Sequence, residues 1–315
     1  MRIVHGYADV PVELRGAVVA VGNFDGVHRG HQAVIGEARR IAAEHGAPSA
    51  VVTFDPHPRR YFKPAEPPFE LTPLAVKARQ IATLGIDALI VLPFDAAMAA
   101  LTAYDFVARP LVGGIQIRHA VVGFDFVFGN NRRGNIEVLE GLSHELGFGV
   151  TAVQPVQRSG AVCSSTTIRH LLRDGKPRDA AEQLGRPWEI AGEVQSGDRR
   201  GRTIGFPTAN VALGPFLTPA IGVYAVWVGI GARWYMGAAN IGSRPTVGGT
   251  EVRVEAHVFD FAGDLYGQTI RVALVEYLRP EMKFSGLDEL KARIAEDSRK
   301  ALNVLEAEPR LATVA

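Results

Sequence analysis

Two histidines three residues apart, His28 and His31, stand in the glycine-rich run Gly22-Asn23-Phe24-Asp25-Gly26-Val27-His28-Arg29-Gly30-His31. Glycines at 22, 26 and 30 let a backbone turn sharply and approach a ligand closely. The run leads into Gln32–Glu44, where Val34, Ile35, Ala38, Ile41 and Ala42 recur at helical spacing. A helix start offers unpaired N–H groups and the positive end of the helix dipole, both suited to phosphate. Imidazoles placed there can hydrogen-bond the charge that builds on a pentacoordinate phosphorus. A bare HxGH is more often a turn with two incidental histidines. Its position directly after a strand, with Asp25 three residues before His28, favours the phosphate reading. Zinc held by His28, His31 and His57 is an alternative, although such a set more often includes a carboxylate at helical spacing.

Two further runs carry groups of the same chemistry. In Cys163-Ser164-Ser165-Thr166-Thr167-Ile168-Arg169, hydroxyls of Ser164, Ser165 and Thr166 at a helix start precede Arg169 by about one turn. They could cap the helix and bind the β- and γ-phosphates of a nucleotide; alone, Ser-Ser-Thr is merely a good cap. The other run is Gly201-Arg202-Thr203-Ile204-Gly205-Phe206-Pro207-Thr208-Ala209-Asn210. No GxxxxGK[ST] pattern occurs, so this is not a P-loop. A loop with Gly201, Arg202, Thr203 and Gly205 can still cradle phosphates through backbone N–H groups. Thr208 and Asn210 alternate along an extended segment and face one side. Both are neutral oxygen ligands suited to Mg²⁺ already held by nucleotide phosphates. A β-turn with polar punctuation is the plainer alternative.

The elements that must position these residues fall into two sets. In the first half, apolar runs at Ala17–Val21, Ala50–Phe54, Ala88–Leu92, Ala120–Gly123 and Gly149–Val153 read as buried strands. Helical patterns at Leu74–Leu84, Tyr104–Val112 and Ile136–Leu146 lie between them. This alternation predicts an α/β domain, a doubly wound open parallel sheet with helices on both faces. Ligands of such sheets sit beyond the carboxyl ends of the strands. Ser164–Arg173 and Arg178–Leu184 read as two helices closed by Gly185-Arg186-Pro187. Strand spacing then takes over at Trp188–Val194, Val223–Val228, Trp234–Ala239, Val252–Phe259 and Ile270–Tyr277, before a helical period at Leu287–Leu305. Gly- and Pro-rich turns between those strands suggest an antiparallel barrel or sandwich. The expected domains are 1–186 and 187–315.

Composition narrows the class. A hydrophobic fraction of 47% and a charged fraction of 21% fit a folded chain with real cores. Lys plus Arg (34) nearly balance Asp plus Glu (33), giving no electrostatic case for a nucleic-acid partner. The single cysteine, Cys163, rules out an intramolecular disulfide and suits a cytoplasmic setting. The first residues lack a signal-peptide pattern, and no run of 18 apolar residues predicts a membrane span. Nothing in the sequence specifies self-association.

The run at 22–31 resembles the GxFDxxHxGH signature of the nucleotidylyltransferase superfamily, and 163–169 resembles its later ISSTxxR-like element. More specifically, the first half is similar to the adenylyltransferase module of bacterial bifunctional riboflavin kinase/FAD synthetases. Thr53-Phe54-Asp55-Pro56-His57-Pro58, Leu71-Thr72-Pro73-Leu74, Leu92-Pro93-Phe94-Asp95 and Val122–Gly129 match that family's landmarks. The resemblance implies nucleotide contacts at Gly22, Phe24, Asp25 and Gly30, and a flavin site near Pro56, Pro58, Phe62, Asp125 and Phe128. Thr167 and Asp55 depart from it, where the family often has Arg and commonly has Glu. The run at 201–210 resembles the riboflavin kinase signature GRTxGFPTAN. Ala239–Thr246, Val254–His257, Gly263–Gly267 and Lys283-Phe284 follow in the family's order. The implied fold is a six-stranded Greek-key barrel with a C-terminal helix, and the implied catalytic base is Glu255. The implied activities are phosphorylation of riboflavin to FMN with MgATP, then adenylylation of FMN to FAD. A chain with only one live site, a flavin sensor, and another nucleotidylyltransferase are the competing readings.

Overall fold

In the computed structural model the residues described are 1–195, 206–246, 249–309 and 311. They divide into two compact units: Met1–Pro67 with Thr72–Ser164, and Pro68–Leu71 with Ser165–Ala315.

The first unit is built on six parallel strands: β1 (Arg2–His5), β2 (Val18–Val21), β3 (Ser49–Asp55), β4 (Ala88–Pro93), β5 (His119–Gly123) and β6 (Gly149–Val153). Their order is β1-β4-β3-β2-β5-β6, so the chain reverses direction across the sheet between β2 and β5. The buried, β-branched strands carry apolar residues on both faces, as parallel strands covered on both sides must. Alternate residues serve separate cores. Val19, Val21, Ala50 and Val52 pack towards Phe106, Leu111, Leu139 and Leu142. Val18, Ala20 and Val51 pack towards Val34, Ile35, Ala38 and Ile81. The covering helices are α1 (Arg29–Glu44), α2 (Pro58–Phe62), α3 (Leu74–Ala82), α4 (Ala96–Ala100), α5 (Ala103–Phe106) and α6 (Ile136–Leu146). Beyond α5 the chain runs as a π-helix from Val107 to Ile115 with Pro110 inside it. A two-stranded ribbon, β7 (Gln157–Arg158) and β8 (Ala161–Val162), follows β6.

The second unit opens with α7 (Ser165–Arg173) and α8 (Pro177–Leu184), and α8 packs on the strands at 188–195 and 269–279. The strands β9 (Trp188–Gln195), β10 (Thr208–Ala212), β11 (Gly222–Ile230), β12 (Arg233–Thr246), β13 (Gly249–Val258) and β14 (Thr269–Arg279) form a closed barrel in the order β10-β13-β12-β11-β14-β9. Closure leaves no unpaired sheet edge. Ile190, Val211, Val226, Ile241, Val254 and Val272 are almost wholly buried at alternate positions. The opposite face of β11, β12 and β14 is covered by α9 (Leu287–Glu306), whose Ala301 and Leu305 pack on Ala225, Trp227, Ala238 and Val275. Arg279 and Asp297 tie that helix down with a two-pronged ion pair at 2.7–3.1 Å, the side chains only 10% and 4% exposed.

The expected parallel sheet and antiparallel barrel with a final helix are both present. α1 starts three residues before the expected Gln32, because His28 serves as its N-cap. Strand β1 carries no expectation from the sequence; it is a four-residue edge strand with one buried side chain.

Candidate functional site

The carboxyl end of β2 lies beside the reversal in strand order, where an open α/β sheet leaves a crevice. The turn that follows is tightly specified. Phe24 and Val27 adopt φ of 48° and 43°, a left-handed conformation uncommon for residues other than glycine. Phe24 is 2% exposed, and its ring underlies Gly22 and meets His31 edge-on at 5.2 Å. Asp25 is also buried: its Oδ1 accepts the backbone N–H of Thr72 at 2.9 Å and the Thr72 hydroxyl at 3.3 Å. Thr72 Oγ1 in turn accepts the N–H of Gly26 at 2.7 Å. Buried Lys77 has its Nζ 3.5 Å from Thr53 Oγ1, which donates to the carbonyl of Asn23 at 3.1 Å. These partners hold the turn from beneath.

His28 Nδ1 accepts the N–H of His31 at 3.3 Å, and the two imidazoles stack with ring centres 3.5 Å apart. Gly30 permits this arrangement, since a Cβ there would sit 3.1 Å from Nδ1 and Cε1 of His28. Gly22, Phe24, His28, Gly30 and His31 are thus gathered at one helix start.

Expected flavin residues lie along the same strand ends. Asp55 and Pro56 join through a cis peptide bond, and Pro58 is the first residue of α2. Phe62 is 63% exposed. Ring contacts run from Phe62 to Phe94 at 5.7 Å, then to Phe54 and Phe106, and on to Phe128. Phe128 is only 7% exposed, stacks on Phe126 at 5.3 Å and covers Gly134, so its ring belongs to the core. Asp125 is exposed in the loop after β5.

Ser164 closes the first unit and Ser165 opens α7 in the second, where Thr166 is exposed on the first turn. Arg169 is 8% exposed, and its Nε donates to the carbonyl of Phe69 at 2.9 Å. Buried Cys163 has its thiol pKa pushed up by desolvation.

On the barrel, β10 pairs with β13 so that Asn210 faces Glu255 and Thr208 faces His257. Residues two apart in a strand share a face, and Thr208, Asn210, Glu255 and His257 therefore stand together. Asn210 Nδ2 donates back to the carbonyl of Thr208 at 3.4 Å, a bond in which its amide oxygen takes no part. That oxygen and the Thr208 hydroxyl are hard, neutral donors suited to a magnesium ion carried by phosphates. Among the described residues no group of three His, Cys, Asp or Glu could hold a metal alone. A cavity of about 570 Å³ opens beside Thr208 and Asn210 beneath Phe261–Tyr266. Gly201, Arg202, Thr203 and Gly205 lie outside the described residues.

Sequence reasoning gave no role to Thr72, Lys77 or Phe94. Thr72 belongs to the run Leu71-Thr72-Pro73-Leu74, but only the fold brings it beneath the His28 turn.

Comparison with known proteins gives a consistent result. A FAD synthetase family model matches residues 10–167 and a riboflavin kinase model matches residues 184–305. Curated relatives named bifunctional riboflavin kinase/FMN adenylyltransferase include one from Escherichia coli (strain K12), 42% identical over 302 residues and covering 96% of each chain. Another, from Bacillus subtilis (strain 168), is 38% identical over 308 residues, again covering 96% of each. A crystal structure described as a macrolide-efflux protein from Streptococcus pneumoniae superposes with a TM-score of 0.85 at 32% identity, covering 96% of this chain and 99% of that one. Among the described residues no helix is long and apolar enough to cross a membrane. With both enzymatic modules present in order and relatives matched along nearly the whole length, the chain belongs to the bifunctional riboflavin kinase/FMN adenylyltransferase family.

Proposed function

We propose that this chain phosphorylates riboflavin to FMN on the barrel and adenylylates FMN to FAD at the helix start that follows β2. The observation that supports the reading is that each unit gathers its own cluster of side chains suited to phosphate chemistry. One is the paired imidazoles at the start of α1; the other is the Asn210–Glu255 row on the barrel.

In the first reaction Glu255 accepts the proton of the ribityl 5′-hydroxyl as its oxygen attacks the γ-phosphorus of ATP and ADP leaves. Thr208 and Asn210 would hold Mg²⁺ with the nucleotide, and the ion's charge would offset that of the phosphates. In the second reaction an FMN phosphate oxygen attacks the α-phosphorus of ATP directly and pyrophosphate leaves. His28 and His31 stabilise the charge that develops there, and positioning supplies the rest. Ser164, Ser165, Thr166 and Arg169 are assigned to that step by sequence resemblance. The phosphate role expected of Asp25 is revised. Asp25, buried with its Oδ1 accepting from Thr72, is assigned to holding the turn. Phe62, with its exposed ring, is assigned to the flavin in preference to Phe128. The single cysteine accords with a cytoplasmic setting.

ATP labelled at one phosphorus separates the two steps. Label at the γ-position should enter FMN and FAD, and label at the α-position should enter FAD alone. If α-label never reaches a flavin, the first unit has no adenylyltransferase activity and the single-site reading holds.

A further inference from the structure

Glu255 has two neutral amides beside it. The register of β13 sets it opposite Asn210 of β10 on one side and opposite Asn240 of β12 on the other. Directly paired residues of an antiparallel sheet project to one face with Cβ atoms about 5 Å apart. Asn240 shares that face with Ala238, which packs beneath α9, so the row stands on the outside of the barrel. Asn210 lies in the run assigned to the nucleotide. Asn240 has no part in that assignment, yet it is deliberately held.

Its Nδ2 donates to Oε1 of Glu281 at 3.1 Å. Glu281 comes from the segment after β14 and sits over the backbone of Gly242, where a Cβ would collide with its Oε1. A glycine two residues after Asn240 thus makes room for the carboxylate that orients Asn240. An amide anchored through one N–H keeps a second N–H and a carbonyl oxygen, so it can both donate to and accept from a hydroxyl.

We propose that Asn240 is a specificity residue of the kinase step, hydrogen-bonding a secondary hydroxyl of the ribityl chain, and that Glu281 orients it. This rests on Glu255 as the base. In-line transfer puts the attacking oxygen and the leaving nucleotide on opposite sides of the phosphorus. With the nucleotide on the Asn210 side of Glu255, the rest of the alcohol extends over Asn240. A polyol needs a partner that donates and accepts, and an uncharged amide supplies both without repelling the nearby phosphates.

The test uses the full chain with MgATP, riboflavin and three analogues lacking the 2′-, 3′- or 4′-hydroxyl. The parent enzyme should discriminate against one analogue. Asn240→Ala should lower kcat/KM for riboflavin about 10- to 100-fold, leave the KM for ATP unchanged and erase that discrimination. Asn240→Ser, smaller but still polar, should retain part of it, and Glu281→Ala should reproduce the Ala pattern more weakly. A parent enzyme that treats all three analogues like riboflavin, or variants that keep the parental discrimination, overturn the proposal even if rates fall, because a general structural defect slows all four substrates alike. Glu255→Gln, assayed in parallel, separates the failures. If it still phosphorylates riboflavin, the base assignment is wrong; if it does not, persistent discrimination condemns the role of Asn240 alone.

Discussion

Replacing Gly30 by alanine should slow FAD formation without touching riboflavin phosphorylation. The added Cβ would lie 3.1 Å from Nδ1 and Cε1 of His28 and 3.4 Å from the carbonyl oxygen of Cys163. Carbon atoms at rest sit about 3.5–4.0 Å apart, so the imidazole must retreat by roughly 0.5 Å. The ring is stacked on that of His31, so both rings are disturbed. A displacement of about 1 Å at a reacting centre costs about 10²-fold, and half of that corresponds to about tenfold in kcat for FMN adenylylation. Stability should change little. Alanine gains about 1 kcal/mol over glycine within a helix, and crowding costs about 1–3 kcal/mol. Gly36, in the same helix, is the control, because a Cβ there meets nothing within 4 Å. Gly36→Ala should raise the melting temperature and leave both rates alone. The assay supplies FMN and MgATP and follows FAD by chromatography. A Gly30→Ala enzyme that makes FAD at the parental rate would show that the His28 ring position is irrelevant to the chemistry.

Further outcomes are expected for single substitutions and for fragments. His31→Ala should reduce adenylylation by roughly 10²–10³, as loss of an oxyanion-type donor does, while FMN still accumulates from riboflavin; FAD yield from supplied FMN reads this directly. Glu255→Gln should abolish phosphorylation and spare adenylylation, measured with riboflavin and FMN supplied separately. A fragment of residues 187–315 should phosphorylate riboflavin and make no FAD. One beginning at Ser165 should melt higher, since α8 packs on the barrel and Arg178 pairs with Glu276 and Glu308; thermal melts of the two compare them. Asp297→Asn should destabilise the barrel unit by about 3 kcal/mol by leaving Arg279 buried without its counter-charge, measured by denaturant unfolding.

The parts of the fold legible in the sequence were those where one physical signal dominated. Ala88–Leu92 and Ala120–Gly123 are continuous apolar runs because both faces of a parallel strand are covered, and both became strands. Ile136–Leu146 carried a helical period, with Asn135 and Gly147 as its caps, and its bounds agree. The sequence pattern starts α1 at Gln32 and the structure at Arg29, because histidine is an unusual cap and its capping bond depends on the turn before it. Tyr104–Val112 read as one helix, but Pro110 removes a backbone donor and the segment widens into a π-helix.

At the site, residue type and order were legible while orientation was not. Asp25 and Phe24 sit in the phosphate motif, but both side chains turn inward, a fact set by the positive φ of Phe24 and by Thr72 arriving from 47 residues away. Phe62 and Phe128 were indistinguishable as aromatic residues, and only burial separates them. The pairing of Glu255 with Asn240 depends on strand register, which no local pattern encodes.

The central claim, two successive activities on one chain, is tested most directly by incubating the purified protein with riboflavin and MgATP and separating the flavins over time. FMN should appear first and FAD should follow at its expense, with ADP and pyrophosphate formed in the corresponding amounts. Conversion that stops at FMN, or an absence of any phosphorylated flavin, would contradict the account.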